Sequence, residues 1–256
     1  MLLQFEGALV RRVVDRAGAR IPEHAHDWPV LSLFVMGGYC NETETGATLI
    51  DGPSAILYGA GTMHRNAIGE NGFEQLEIEF DPAWLGHPPV DRPVSHWVGG
   101  RAGGAARDLA HLCGSGTNEW QLRSALCRYF ESAPREKLPE PPRWTSDVTR
   151  RLRQNPSLKI GEIANALDLH PSWLGSAYKS ATGESVQQTA ARYRVERAAR
   201  QLRETDGSYA DIASDCSFCD QSHMNRTFQR VLGRTPSTVR GDRQSFRGEQ
   251  CLKGAN

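Results

Sequence analysis

In the first half of the chain, apolar and polar positions alternate. Leu31, Leu33 and Val35 alternate with Ser32, Phe34 and Met36, and Leu76, Ile78 and Phe80 with Glu77 and Glu79. A period of two is that of a half-buried strand. Gly37-Gly38, Asp51-Gly52-Pro53, the Gly59–Gly61 stretch and Asn71-Gly72 punctuate these runs. Residues 5–98 therefore predict several short strands closed into a sandwich or barrel. Between 104 and 131 the period changes. Leu122, Leu126 and Tyr129 fall at i, i+4 and i+7, with Ala125 in the same stripe, as on an amphipathic helix.

Four prolines (Pro134, Pro139, Pro141 and Pro142) then fall within nine residues. Such a run continues no helix and joins no central strand, so it predicts a stiff linker. Beyond it the pattern is helical throughout, with helices expected near 145–155, 160–167, 171–181, 185–204, 208–214 and 220–232. Ser185 and Ser208 are placed to cap helix starts, and Gly183 and Gly233 to end helices. In the long helix, Val195, Ala198, Ala199 and Leu202 define one buried face. The boundaries predict a first domain over 1–133, a linker over 134–143 and a second domain over 144–256. The fold class is α+β: a β-barrel with flanking helices, followed by an all-α domain.

Charge sharpens this division. The whole chain of 256 residues is formally neutral, but residues 1–142 hold 12 Lys+Arg against 18 Asp+Glu, a net of −6. Residues 143–256 hold 18 against 12, a net of +6. A basic back half points to a polyanionic partner for that half alone. No stretch approaches the roughly 18 consecutive apolar residues of a membrane span, and no secretory signal is visible at the start. Six cysteines in a chain of this length are too sparse for a disulfide scaffold. The expectation is a cytoplasmic protein with reduced thiols.

Two helical segments repeat one pattern. Ile163-Ala164 precedes Pro171–Lys179, and Ile212-Ala213 precedes Asp220–Gln229; each pair is a short helix, a turn of about three residues and a second helix. That is helix-turn-helix spacing, twice, about 50 residues apart. In the first unit Leu174, Ala177 and Tyr178 form the buried stripe, which turns Ser172, Gly175, Ser176 and Lys179 outward. In the second Met224, Thr227, Phe228 and Val231 are buried, which turns Gln221, Ser222, Asn225, Arg226 and Gln229 outward with His223 at the edge. Asn and Gln can hold adenine, and Arg guanine, through paired hydrogen bonds in the major groove. The first helix has shorter side chains there and suits phosphate and thymine-methyl contacts better.

The stretch Cys216–Arg240, including Phe218, Asp220-Gln221-Ser222, Phe228, Gly233, Pro236-Ser237 and Arg240, resembles the signature of the AraC/XylS family of bacterial transcription regulators. Thr182-Gly183-Glu184-Ser185 and Arg194–Ala198 match upstream, so the resemblance covers roughly residues 145–240. It implies sequence-specific DNA binding, a homodimer and activation through contact with RNA polymerase. The family usually has glycine in both turns; here Asp168 and Ser217 stand there. Asp accepts left-handed geometry better than most residues, so Ser217 is the costlier departure.

Two clusters invite metal chemistry. Cys216 and Cys219 have C-x-x-C spacing beside His223, but a structural zinc site wants four ligands and no fourth is near, so these cysteines are expected to be structural. In the first half, His24 and His26 are two apart, which puts both on one face of a strand. A third histidine, His64, follows in Gly61-Thr62-Met63-His64 and would complete a site for Zn, Fe, Ni or Mn. This spacing resembles the cupin barrel, the usual sensor fold of the family. The cupin pattern also expects a glutamate where Val30 and Leu31 stand, and Glu77 is the available substitute. The alternatives are an organic small-molecule effector in the barrel, with Trp28 and Tyr58 lining its pocket, or histidines that only hydrogen-bond inside it. The function expected is a DNA-binding activator governed by a metal or small-molecule effector, and not an enzyme. Its rivals are a cupin oxygenase or isomerase fused to a DNA-binding domain, and a constitutive DNA binder.

Overall fold

The computed structural model describes residues 3–15, 17–44, 46–51, 54–86, 94–98, 108–113, 116–132 and 142–242. Eight antiparallel strands form one curled sheet: β1 (Leu3–Phe5), β2 (Ala8–Asp15), β3 (Arg20–His24), β4 (Val30–Thr43), β5 (Gly46–Asp51), β6 (Ser54–Tyr58), β7 (His64–Phe80) and β8 (Val94–Val98). The order is β1-β2-β7-β4-β6-β8, with β3 also on β7 and β5 also on β4. The expected antiparallel β architecture is present, as one curled sheet.

The long strands differ from the expectation of short ones. Gly37-Gly38 and Asn71-Gly72 do not end strands; they lie inside β4 and β7. Phe34 pairs with Gln75, Met36 with Glu74 and Gly37 with Phe73, after which the register jumps to Tyr39 with Ile68. The glycines serve this bulge. Gly37 sits at φ +77, and a Cβ there would come within 2.1 Å of the Gly72 carbonyl oxygen. The alternation read in β7 is also modified. Glu77 and Glu79 are partly buried rather than solvated, and Arg11 of β2 pairs with both.

Helix α1 (Pro82–Leu85) follows β7, and α2 (108–113) and α3 (Glu119–Ser132) follow β8. Leu122, Leu126 and Tyr129 are 0%, 0% and 1% exposed, in one core with Val10, Leu31, Ile78 and Phe80. The leucine stripe is thus covered by the sheet of the same chain, while Trp120 stays 75% exposed.

The predicted linker falls largely on residues outside the described ones. The helical domain begins with α4 (Arg143–Gln154) and continues through α5 (Ile160–Ala166), α6 (Pro171–Thr182), α7 (Val186–Glu204), α8 (Tyr209–Asp215), α9 (Gln221–Leu232) and α10 (236–242). Ser185 and Ser208 accept backbone hydrogen bonds from Gln188 and Asp211, and Gly183 and Gly233 end α6 and α9 at φ 75 and 66. One core joins α4, α5 and α6 to the start of α7 through Val148, Ile163, Leu174, Tyr178 and Tyr193. A second joins the end of α7 to α8 and α9 through Val195, Leu202, Ile212, Met224 and Phe228.

Both turns adopt the left-handed conformation that the departures from glycine required, Asp168 at φ 54 and Ser217 at φ 63. That geometry costs a non-glycine residue about 1–2 kcal/mol, partly offset by glycine's greater freedom when unfolded, about 0.5–1 kcal/mol. Ser217→Gly is therefore expected to stabilise the second helix-turn-helix by about 0.5–1 kcal/mol. A lowered midpoint in thermal unfolding would contradict this.

Candidate nucleic-acid interface and histidine cluster

Each helix-turn-helix unit is built on a capped second helix. Asp220 starts α9 by accepting from the His223 amide at 2.6 Å, and His170 starts α6 through Nδ1, which accepts from the Ser172 amide at 3.3 Å. Arg240 stacks 4.0 Å from the Tyr209 ring and donates to the Gly207 carbonyl at 2.6 Å. Asp220 and Arg240 are thus structural members of the sequence signature.

Gln221, Ser222, Asn225, Arg226 and Gln229 are exposed along one side of α9, and Met224, Thr227 and Phe228 are buried on the other. His223 is half-buried, edge-on to Phe218, with Nδ1 accepting from the Cys219 amide. On α6, Ser172, Ser176 and Lys179 are exposed. Gly175 is half-buried, and a Cβ there would lie 3.1 Å from Ile160 Cδ1, so helix packing against α5 accounts for the glycine. Trp173, absent from the expected outward face, is 50% exposed beside Trp144 at 5.3 Å. Its position between Ser172 and the buried Leu174 was the available signal. Cys216 is buried, and burial pushes its thiol up to about 11. Among the described residues, neither it nor Cys219 belongs to a group of three metal-ligating side chains.

His24, His26 and His64 come together as the spacing required, although not all from strands. β3 ends at His24, β7 starts at His64, and the two pair directly. His26 lies past the strand end, held where its carbonyl accepts from the Gly61 amide at 2.8 Å. The ring centroids are 4.2, 5.2 and 5.4 Å apart, and the candidate ligand nitrogens all lie within 4.8 Å of one another. Two carbonyls fix the tautomers. His24 Nδ1 faces the Pro22 oxygen at 2.9 Å and His64 Nδ1 the Thr62 oxygen at 3.1 Å. A carbonyl only accepts, so each Nδ1 carries a proton, and in the neutral ring that tautomer leaves the lone pair on Nε2. Burial first, then the neighbouring histidines, lowers the His26 imidazole to about 4; burial also lowers His64. Neutral imidazoles with fixed lone pairs are the form that binds a cation.

Beneath the cluster the sheet interior is aromatic and polar. Tyr58 stacks on His64 at 4.0 Å and donates to Asn41 Oδ1 at 3.0 Å, with the Tyr39 hydroxyl 3.4 Å away. Asn41 and Tyr39 were not expected here; their i, i+2 spacing on β4 was the signal. Trp28 is 40% exposed. Glu77, the substitute ligand considered, lies outside the group and bonds Gln75 Nε2 at 2.7 Å instead.

The fold and these sites define a two-part protein: a curled antiparallel sheet carrying a histidine cluster, and a tandem helix-turn-helix domain. Residues 149–242 match the family model of a helix-turn-helix domain. The chain is 32% identical over 84 residues to a putative AraC-like transcription regulator of Streptomyces lividans, and 31% identical over 84 residues to the transcriptional activator RhaS of Escherichia coli O157:H7. Each match covers 33% of this chain, and 28% and 30% of those proteins, so the likeness lies in less than a third of the relatives' length. Residues 149–242 are thus a helix-turn-helix domain, similar in sequence to part of these regulators. Among solved structures, fatty-acid-bound ToxT of Vibrio cholerae aligns over 94% of this chain and 97% of its own, at 10% identity and a TM-score of 0.40. No helix among the described residues is long and apolar enough to cross a membrane.

Proposed function

We propose that this chain is a sequence-specific DNA-binding transcription regulator whose N-terminal sheet senses an effector. The observation that carries this is the paired helix-turn-helix architecture, with a row of exposed Gln, Asn and Arg on the second helix of the second unit. Gln221, Asn225, Arg226 and Gln229 read base edges, with Ser222 and His223 at the margin of the contact. Ser172, Ser176 and Lys179, beside Gly175, place the first unit on the backbone. The net +6 of the back half supplies the non-specific attraction. The protein acts as a homodimer on paired half-sites and activates through RNA polymerase, as expected for this domain type, rather than acting as an enzyme.

The histidines fit a divalent cation: three imidazole nitrogen donors, two with their tautomers fixed by backbone carbonyls. Zn, Fe and Ni suit such donors best. His24, His26 and His64 would hold the ion, with Tyr58, bonded to Asn41, stacked against His64. The cation's positive charge would make the cluster a receptor for an anionic effector or a structural pin for the open end of the sheet.

The test of the DNA reading is salt. Double-stranded sequences selected from a random pool should bind with an affinity falling linearly in log–log form, with a slope of about 0.9 for each phosphate neutralised. A flat dependence would remove the basic half as a DNA surface.

A further inference from the structure

The sheet and the helical domain meet at the β4–β7 bulge, and what they share there is more than contact. Met36, which the sequence pattern gives to β4, is 4% exposed and packs in the core of the second helix-turn-helix, beside Val195, Ala198, Leu202 and Ile212. The Gly37 amide donates to Glu196 Oε1 of α7 at 3.1 Å. One pairing step along the same ladder, Glu74 of β7 is 1% exposed. Its carboxylate accepts from Arg12 of β2 and from Arg203 of α7, and Arg234, beyond α9, stands 3.7 Å away. Asp242 of α10 takes Arg234 through both oxygens at 2.8 and 2.9 Å and lies 4.0 Å from Arg203. Burial pushes the Glu74 carboxyl up, but the charges of Arg203, Arg12 and Arg234 outweigh it and hold the group below its ordinary value.

Three guanidiniums and two carboxylates thus close a buried network across two domains. A buried carboxylate is tolerated only while its partners stay in place. Separating the two domains would strip Glu74 of Arg203 and Arg234 and let water reach it, so these contacts hold or break together. The bulge puts it at a mechanically distinct point. One ladder, Tyr39–Thr43 with Ile68–His64, carries the histidine cluster at its end; the other carries Glu74. Docking leaves Gln221, Asn225, Arg226 and Gln229 exposed, so the contact orients the reading helix and does not cover it.

We propose that Glu74, with the Met36–Gly37 bulge, is a latch that fixes the second helix-turn-helix unit to the sensor sheet. Its release frees the DNA-binding domain to reorient. The regulatory meaning rests on the function proposed above; the latch itself does not, and its test uses no DNA.

The experiment is calorimetric unfolding of the full chain, with small-angle scattering on the same samples. Wild type should melt in one transition. Arg203→Gln, which leaves Glu74 its Arg12 partner inside the sheet, should split this into two transitions and shift the radius of gyration upward. Glu74→Gln should do the same, and the double variant should be no worse than the more severe single, because both remove one network. If Glu74→Gln does not fold, Arg203→Gln decides. A single transition at an unchanged radius in Arg203→Gln overturns the latch, as does a wild-type chain whose domains already melt separately. A split transition beside an absence of any selected DNA sequence would keep the latch and sink the regulator.

Discussion

Phe228→Ala should abolish DNA binding by unfolding the second helix-turn-helix unit, without touching a base. Phe228 is fully buried under α9, in the core that holds Met224, Ile212 and Leu202, with the Phe218 ring 6.5 Å away. Truncating a buried phenylalanine costs about 3–5 kcal/mol, the lost transfer of the ring plus the cavity it leaves. A domain has about 5–15 kcal/mol in all. The unit therefore loses most of its margin, and the exposed row on α9 loses the platform that aligns it. Circular dichroism melting and binding to selected DNA should fail together. Undiminished stability would show that this core does not support the reading helix.

The second large effect concerns the histidines. A triple His24/His26/His64→Ala variant should lose all bound metal, where the wild type carries about one ion per chain. The expectation follows from three nitrogens within 4.8 Å, on rings two of which are oriented by backbone carbonyls. Elemental mass spectrometry of protein refilled with Zn, Fe, Ni or Mn and desalted measures it directly. Metal retained in the variant would place the ion elsewhere. A wild type that takes up none of these ions would leave the cluster as a hydrogen-bonding wall of an organic pocket.

Much of this was written locally in the chain. The caps at Ser185 and Ser208, the terminating Gly183 and Gly233 and the buried stripes of α6 and α9 each follow from residues within one or two turns. The histidine cluster was legible because His24 and His26 are close in sequence and His64 begins a strand. What was not legible is non-local. Glu74 falls in the alternation phase of the buried Leu76, Ile78 and Phe80, opposite to Glu77 and Glu79, but the pattern does not say what meets it there; the register against β4 and the approach of α7 and Arg234 make it the centre of a largely buried network. Gly37-Gly38 and Asn71-Gly72 look like turns because glycine ends most strands, whereas here they face each other across a bulge that neither segment specifies alone. The leucine stripe of α3 carries a period but no address, and it is one face of the sheet in the same chain that covers it.

The most direct test of the central claim is Arg226→Ala measured on selected DNA and on a scrambled duplex of equal length. Arg226 is exposed on α9 and outside the core, so the fold should remain intact. Binding to the selected sequence should weaken by about 1–3 kcal/mol, roughly fivefold to 150-fold, with preference relaxed at one base position and little change on the scrambled duplex. An equal loss on both duplexes would contradict it, because the arginine would then be neutralising a phosphate and α9 would not be reading sequence through it.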